Sequence, residues 1–180
     1  VLAQQSPQFS QNMFNKLAYN PGFAGSMQAI CATALHRQQW VGFDGRPVTT
    51  NLSVDAGIPA VYGGVGLSIV NETVGPFDNL GLQLSYAYRA RAGNGQIGTG
   101  ISIGMYQSSL DGSSLNPASP GDPALPTADA QGSALDFGFG VYYNSEDAYI
   151  GLSSSHITEP TIEWENATTQ KLVRHYYLIS

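Results

Sequence analysis

Apolar residues recur at every second position through most of this chain, and small or polar residues fill the gaps. Ile97, Thr99, Ile101, Ile103 and Met105 alternate with Gly98, Gly100, Ser102, Gly104 and Tyr106. Leu80, Leu82, Leu84, Tyr86 and Tyr88 alternate with Gly81, Gln83, Ser85, Ala87 and Arg89. A period of two places each set on one face of a strand, so one face is oily and the other small and polar. A sheet in water hides its oily face under a second layer, yet no segment here reads as a cover. The pattern fits an all-β, antiparallel transmembrane β-barrel of the outer-membrane type, with lipid outside and water or a plug inside.

The composition agrees. Charged residues make up 11% of the 180 residues, against about 25% in an ordinary soluble domain. The hydrophobic fraction is 42% and the mean hydropathy −0.10, as expected when half of each strand faces inward. No run of about 18 apolar residues is present, which excludes a transmembrane helix. The net charge of −6 and the scatter of the basic residues argue against nucleic-acid binding. Cys31 is the single cysteine, so no intrachain disulfide framework exists; in the run Ala29–Leu35 it reads as a small strand residue. Val1-Leu2-Ala3 resembles the tail of a secretory signal peptide cut after Ala3, making residues 1–3 a remnant.

Residues 4–26 lack alternation, are rich in Gln, Asn and aromatics, and carry the turn signal Asn20-Pro21-Gly22. They read as an N-terminal periplasmic or plug segment, with a short helix between Gln8 and Leu17. Residues 27–180 read as about eight strands: Met27–Arg37, Val48–Ile58, Val61–Val70, Asn79–Ala90, Gln96–Leu110, Ser133–Asn144, Ala148–His156 and Leu172–Ser180. Each is near or above the 9–11 residues that cross a bilayer at a tilt. The connections alternate too. Gln38–Pro47, Asp111–Gly132 and Ile157–Lys171 are long and Asn71–Asp78 intermediate, whereas Pro59-Ala60, Arg91–Gly95 and Ser145–Asp147 are short. Long loops then lie outside and short turns in the periplasm. The chain stops at Leu178-Ile179-Ser180, in what reads as mid-strand, so the barrel is expected to be the N-terminal part of a longer one.

Chemistry-bearing residues are sparse. His36, His156 and His175 lack paired ligand spacing, so neither a metal site nor a cofactor is expected. Ser155 and His156 are adjacent on a strand and point to opposite faces, which does not make a catalytic dyad; no enzyme activity is expected. Gly64–Gly66 and Gly98-Thr99-Gly100 precede no helix and lack a phosphate-loop lysine, and read as inward-facing small residues. Asp111, Asp122, Asp129, Glu159, Glu163 and Glu165 are loop acids without recognised calcium spacing, and read as solvated. Asn51, Asn71 and Asn166 head glycosylation triplets without consequence here. Asp55, Asp136 and Arg89 fall on the small, polar strand face, where charges line the lumen or pair with a plug, since the lipid face penalises them; structural pairing is the expected role.

Two segments exceed what barrel physics requires. One contains Pro7, Gln8, Phe9, Ser10, Gln11, Met13 and Phe14, followed by Asn20, Pro21 and Gly25; the other contains Arg37, Gln38, Gln39, Trp40, Gly42, Gly45 and Pro47. With Gly66-Leu67-Ser68-Ile69-Val70-Asn71 and Gly75-Pro76, they resemble the PorP/SprF family of Bacteroidota outer-membrane proteins from just after the suspected cleavage point to the end of the chain. Phe23 and Glu72 stand where that pattern has Tyr and Asp. Family members are usually longer.

The resemblance implies a non-enzymatic role in type IX secretion and gliding motility: assisting export of a large adhesin or other cargo and holding it at the surface through its C-terminal sorting domain. A periplasmic peptidoglycan-associated lipoprotein is the second implied partner, the lipid bilayer the third. Trp40, Phe43, Asp44, Trp164, Tyr176 and Tyr177, in or near the long loops, are candidate partner-binding residues, because aromatic side chains anchor interfaces. Two rival readings are a passive porin-like diffusion channel, which needs an open lumen, and a soluble lipocalin-like ligand-binding barrel, which needs the oily face inside.

Overall fold

The computed structural model describes residues 12–112, 130–163 and 170–180. The alternating segments form β1 (Ile30–Gln38), β2 (Val48–Ile58), β3 (Gly63–Val74), β4 (Phe77–Ala92), β5 (Gly95–Leu110), β6 (Ala130–Asn144) and β7 (Tyr149–Ser155). A small hairpin follows, β8 (Thr161–Ile162) with β9 (Gln170–Lys171), and then β10 (His175–Ile179). Strands β1 to β7 and β10 make one eight-stranded antiparallel meander, each strand beside its predecessor. The sheet curls into a half-barrel whose edges, β1 and β10, do not pair with each other; the expected architecture is present as a curled sheet and not as a closed barrel.

Several boundaries differ from those read off the sequence. Asn71–Asp78 is not a loop: β3 and β4 run on to Val74 and from Phe77, leaving the two-residue connection Gly75-Pro76. The polar residues there belong to strand ends beyond the oily zone. β1 begins at Ile30, and Val61 lies in a 3-10 turn, Pro59–Val61, closed by Tyr62 in the left-handed region. β7 stops at Ser155 because His156 turns the chain with φ 53°. Leu172 lies outside β10 and is fully buried, as is Ile162 of the hairpin. The expected N-terminal helix shrinks, among described residues, to a 3-10 turn at Asn12–Phe14 and α1 (Lys16–Tyr19); residues 8–11 lie outside the described residues.

The register turns the alternation into rows. On the convex face Leu52, Ile69, Leu82, Met105 and Leu135 stand side by side across five strands, and Val54, Leu67, Leu84, Ile103 and Phe137 form the next row. These side chains are exposed or half-exposed; Leu84 is 56% exposed. A row containing Thr50, Asn71, Gln107 and Ser133 bounds them at one end. Within β5 the apolar stretch Ile97–Met105 falls in the range that crosses a hydrocarbon layer about 25 Å tall at a tilt. The concave face is the reverse: its buried residues include Asn51, Ser53, Asp55, Ser68, Ser85, Ser102 and Ser153. Polar groups inside and oily groups outside invert the soluble pattern.

Candidate functional site

Across the concave face runs a groove of small residues. Gly57, Gly64, Ala87, Gly100, Gly140 and Ser153 form one row over six strands. The backbone of Tyr19–Gly25 lies in that groove and crosses the strands nearly one residue per strand. A Cβ on Gly64 would meet Gly25 Cα at 2.5 Å, and one on Gly100 or Gly140 would collide with Pro21 or Asn20. Gly64 of β3 and Gly100 of β5 are therefore seats for another stretch of main chain, and Gly140 of β6 is a seat for the Asn20 side chain. Leu17 fills the space left by Gly66 and is buried with Ala24 and Ala87 in a small apolar cluster that Phe23 flanks.

Polar contacts fasten this crossing segment along its length. Asn20, fully buried, donates through Nδ2 to Val141 O (3.0 Å) and Leu152 O (3.3 Å), and its Oδ1 accepts from Gly22 N (2.8 Å). Ser153 Oγ donates to Tyr19 O (2.6 Å). Asp55 accepts from Gly25 N (2.9 Å). Arg89 Nη1 reaches the carbonyls of Gly22 (3.1 Å), Phe23 (3.4 Å) and Ala24 (3.2 Å), and Nη2 donates to Asn144 Oδ1 (2.9 Å). Three successive carbonyls converging on one guanidinium neutralise a buried cation, and Asp55 lies within Coulombic reach of it. Asp55 and Arg89 thus do what their polar-face positions led one to expect. Lys16 Nζ sits 3.4 Å over the Tyr149 ring.

The segment covers the half of the concave face next to the short turns at Pro59–Val61 and 145–148. The half next to the long loops holds a cavity of about 120 Å³. Ala18 and Tyr19 wall it on the turn side, Tyr106 and Tyr177 line it, and Asp136 and His156 stand within it. His156 Nδ1 lies 2.9 Å from Asp136 Oδ2. His175 packs edge-on against His156 and stacks on Tyr177, which meets Tyr19 edge-on at 5.2 Å. Sequence spacing hid the Asp136–His156 pair, which a turn after β7 brings together; Ser155 and His156 form no dyad. No group of three metal-ligating side chains occurs among the described residues.

The candidate partner-binding residues are dispersed. Trp40 (70% exposed), Phe43 (67% exposed) and Asp44 share the loop between β1 and β2. There Phe43 N donates to Trp40 O (3.0 Å), Gly42 and Gly45 take φ of 96° and 73°, and Gly75 N donates to Gly45 O (3.0 Å). Tyr176 and Tyr177 belong to β10, at the opposite edge of the sheet, and point to opposite faces: Tyr176 is exposed on the convex side, Tyr177 packs inside. Trp164 lies outside the described residues, as do Pro7, Gln8, Phe9, Ser10 and Gln11. Met13 and Phe14 are exposed. Asn20, Pro21 and Gly25 of the same motif form the crossing segment. Arg37, Gln38, Gln39, Trp40, Gly42, Gly45 and Pro47 form the end of β1 and its loop, where Gln39 N donates to Pro47 O (3.0 Å). Arg37 stands within Coulombic reach of Glu72, which Thr49 also hydrogen-bonds.

A curled antiparallel sheet that is oily where exposed and polar where filled defines a membrane β-sheet protein. The chain belongs to the PorP/SprF family: a family model described as "Type IX secretion system membrane protein PorP/SprF" matches residues 1–180. That is a family of secretion membrane proteins, not of enzymes. No curated protein and no solved structure matches the chain.

Proposed function

We propose that this chain forms the wall of an outer-membrane β-barrel that assists type IX secretion and holds a secreted adhesin or other cargo at the cell surface through the cargo's C-terminal domain. The observation that carries this reading is the asymmetry of the concave face: filled and fastened at the turn end, open at the loop end. Such a cup receives a partner from one side. The exposed loop residues Trp40, Phe43 and Asp44 stand at its rim, and aromatic side chains on a rigid turn suit protein recognition. The turn end, in the periplasm, faces the proposed lipoprotein partner.

A porin-like channel needs a continuous lumen, which the crossing segment interrupts. A lipocalin-like barrel needs its oily face around the ligand, whereas here Leu84, Ile101 and Leu135 face outward and exposed. The test is affinity purification of the full-length protein from outer membranes in mild detergent, with mass spectrometry of what copurifies. A large adhesin with a type IX sorting domain at near-stoichiometric level is expected. A lone protein that conducts ions in planar bilayers would overturn the anchoring reading in favour of a channel.

A further inference from the structure

We propose that the cavity at the loop end binds an ammonium or guanidinium group on a short alkyl stem, the chemistry of a lysine or arginine side chain, with Asp136 as its counter-ion. Asp136 points inward, and its side chain is only 15% exposed. It pairs with His156, its Oδ1 has no hydrogen-bond partner among the described residues, and a second acid, Glu72, lines the same cavity. A carboxylate so far from water is costly unless a cation or donors complete its shell. Asp55, the other inward aspartate, has that shell: the Gly25 N–H and the nearby Arg89.

Asp136 has no permanent cation beside it: its ion-pair partner is the His156 imidazole, which is charged only when protonated. All seven of the chain's lysines and arginines, namely Lys16, Arg37, Arg46, Arg89, Arg91, Lys171 and Arg174, lie among the described residues, and none pairs with Asp136. A cation that enters the cavity would complete the shell of Oδ1. The cavity suits it. Tyr19, Tyr106 and Tyr177 give it an aromatic lining of the kind that attracts cations, and Val70 offers apolar surface to an alkyl stem. A divalent metal is a poor fit, since six to eight oxygen ligands or a compact His/Cys/Asp/Glu set would be required. Gly81, in the cavity wall, has open space before it: a Cβ there would find its nearest neighbour, Val70 O, at 3.8 Å.

The site stands independently of any cargo. That a cargo delivers the basic side chain rests on the anchoring reading. The test is calorimetric titration of the full-length protein in detergent with agmatine, with a capped lysine peptide, and with the same peptide carrying norleucine. Saturable binding of the cations, at least tenfold tighter than of the norleucine peptide, is expected. It should weaken at least tenfold in Asp136→Asn, vanish in Gly81→Leu, which fills the cavity, and persist in Asp147→Asn, an exposed acid at the turn end.

Equal binding of the norleucine peptide, no binding at all, or cation binding unchanged in Asp136→Asn would overturn the proposal. The last comparison holds even if Gly81→Leu fails to fold, because Asp136→Asn keeps the side-chain shape. Binding of agmatine without the lysine peptide would keep the chemistry but overturn a protein-borne source. Cargo that copurifies undiminished with Asp136→Asn would cut the link to cargo and leave anchoring intact. Absence of cargo from the wild type would remove anchoring and leave the calorimetric result standing.

Discussion

Asp55 and Asp136 project from the same polar face, one on β2 and one on β6, yet their surroundings differ in kind. At the turn end, main chain fills the groove, a backbone N–H meets Asp55, and Arg89 gathers three carbonyls. At the loop end, Asp136 has an imidazole, an orphaned oxygen and an adjoining cavity. The first arrangement is met within the chain except at Arg89 Nε and serves stability. The second is left incomplete, which is how a protein keeps affinity for something it does not contain.

The largest effect in breaking this contrast is expected from Arg89→Ala. Losing the shared cation strips its donor from the Gly22 and Ala24 carbonyls, leaves Phe23 O with Ser26 N alone and removes the charge opposite Asp55, a loss of about 3–5 kcal/mol by the cost of breaking a buried charge network. Urea unfolding in micelles and protease cleavage near Gly22 would register it; an unchanged midpoint would mean that the crossing segment is not held by charge.

The two aspartates come next. Asp55→Asn is expected to cost about 1–3 kcal/mol, whereas Asp136→Asn removes a carboxylate that His156 meets at one oxygen and nothing meets at the other, and should change stability by less than about 1 kcal/mol. Equal losses in the two variants would erase the distinction between the halves.

Glycine substitutions sharpen it further. Gly100→Ala pushes a methyl into the Pro21 backbone and should cost about 1–3 kcal/mol by overpacking. Gly81→Ala meets only ordinary contacts and should stay within about 0.5 kcal/mol. A third acid, Glu159, supplies the reference in water. Lys171 Nζ, 2.8 Å away, hydrogen-bonds its carboxyl and holds it below the usual carboxylate range. Its support of the β8–β9 hairpin is therefore present at neutral pH and lost as pH falls through that lowered value. Being open to solvent, with Lys171 60% and Glu159 34% exposed, the pair should give the smallest change, visible as faster amide exchange at Leu172 in acid and in high salt.

Period-two alternation made β2, β4 and β5 legible because each buries one face and exposes the other. It also put Asp55, Arg89 and Asp136 on the correct side. It misled at Asn71–Asp78, where polar residues look like a loop but are strand ends outside the oily zone. The two-residue strands of β8 and β9 are too short to show any period. The role of Gly64, Gly100 and Gly140 was out of reach, since what sits on them, main chain on the first two and the Asn20 side chain on the third, comes from far earlier in the sequence. The Asp136–His156 pair was hidden for a related reason: only the left-handed turn at His156 swings that ring back over β6. Tyr176 and Tyr177, adjacent in sequence, were grouped as one surface although a strand must send neighbours to opposite faces.

The anchoring of Asn20 to Val141 and Leu152 has a consequence for the order of folding. Every pair of adjacent strands is joined by a local connection or a modest loop, so the meander can assemble hairpin by hairpin. Asn20 waits for carbonyls 121 and 132 residues downstream. The stretch that precedes all the strands is among the last to find its seat, and until β7 joins β6 its asparagine lacks the Leu152 carbonyl. The crossing segment therefore records completion of the sheet, and its protection from exchange should be the last to appear during assembly.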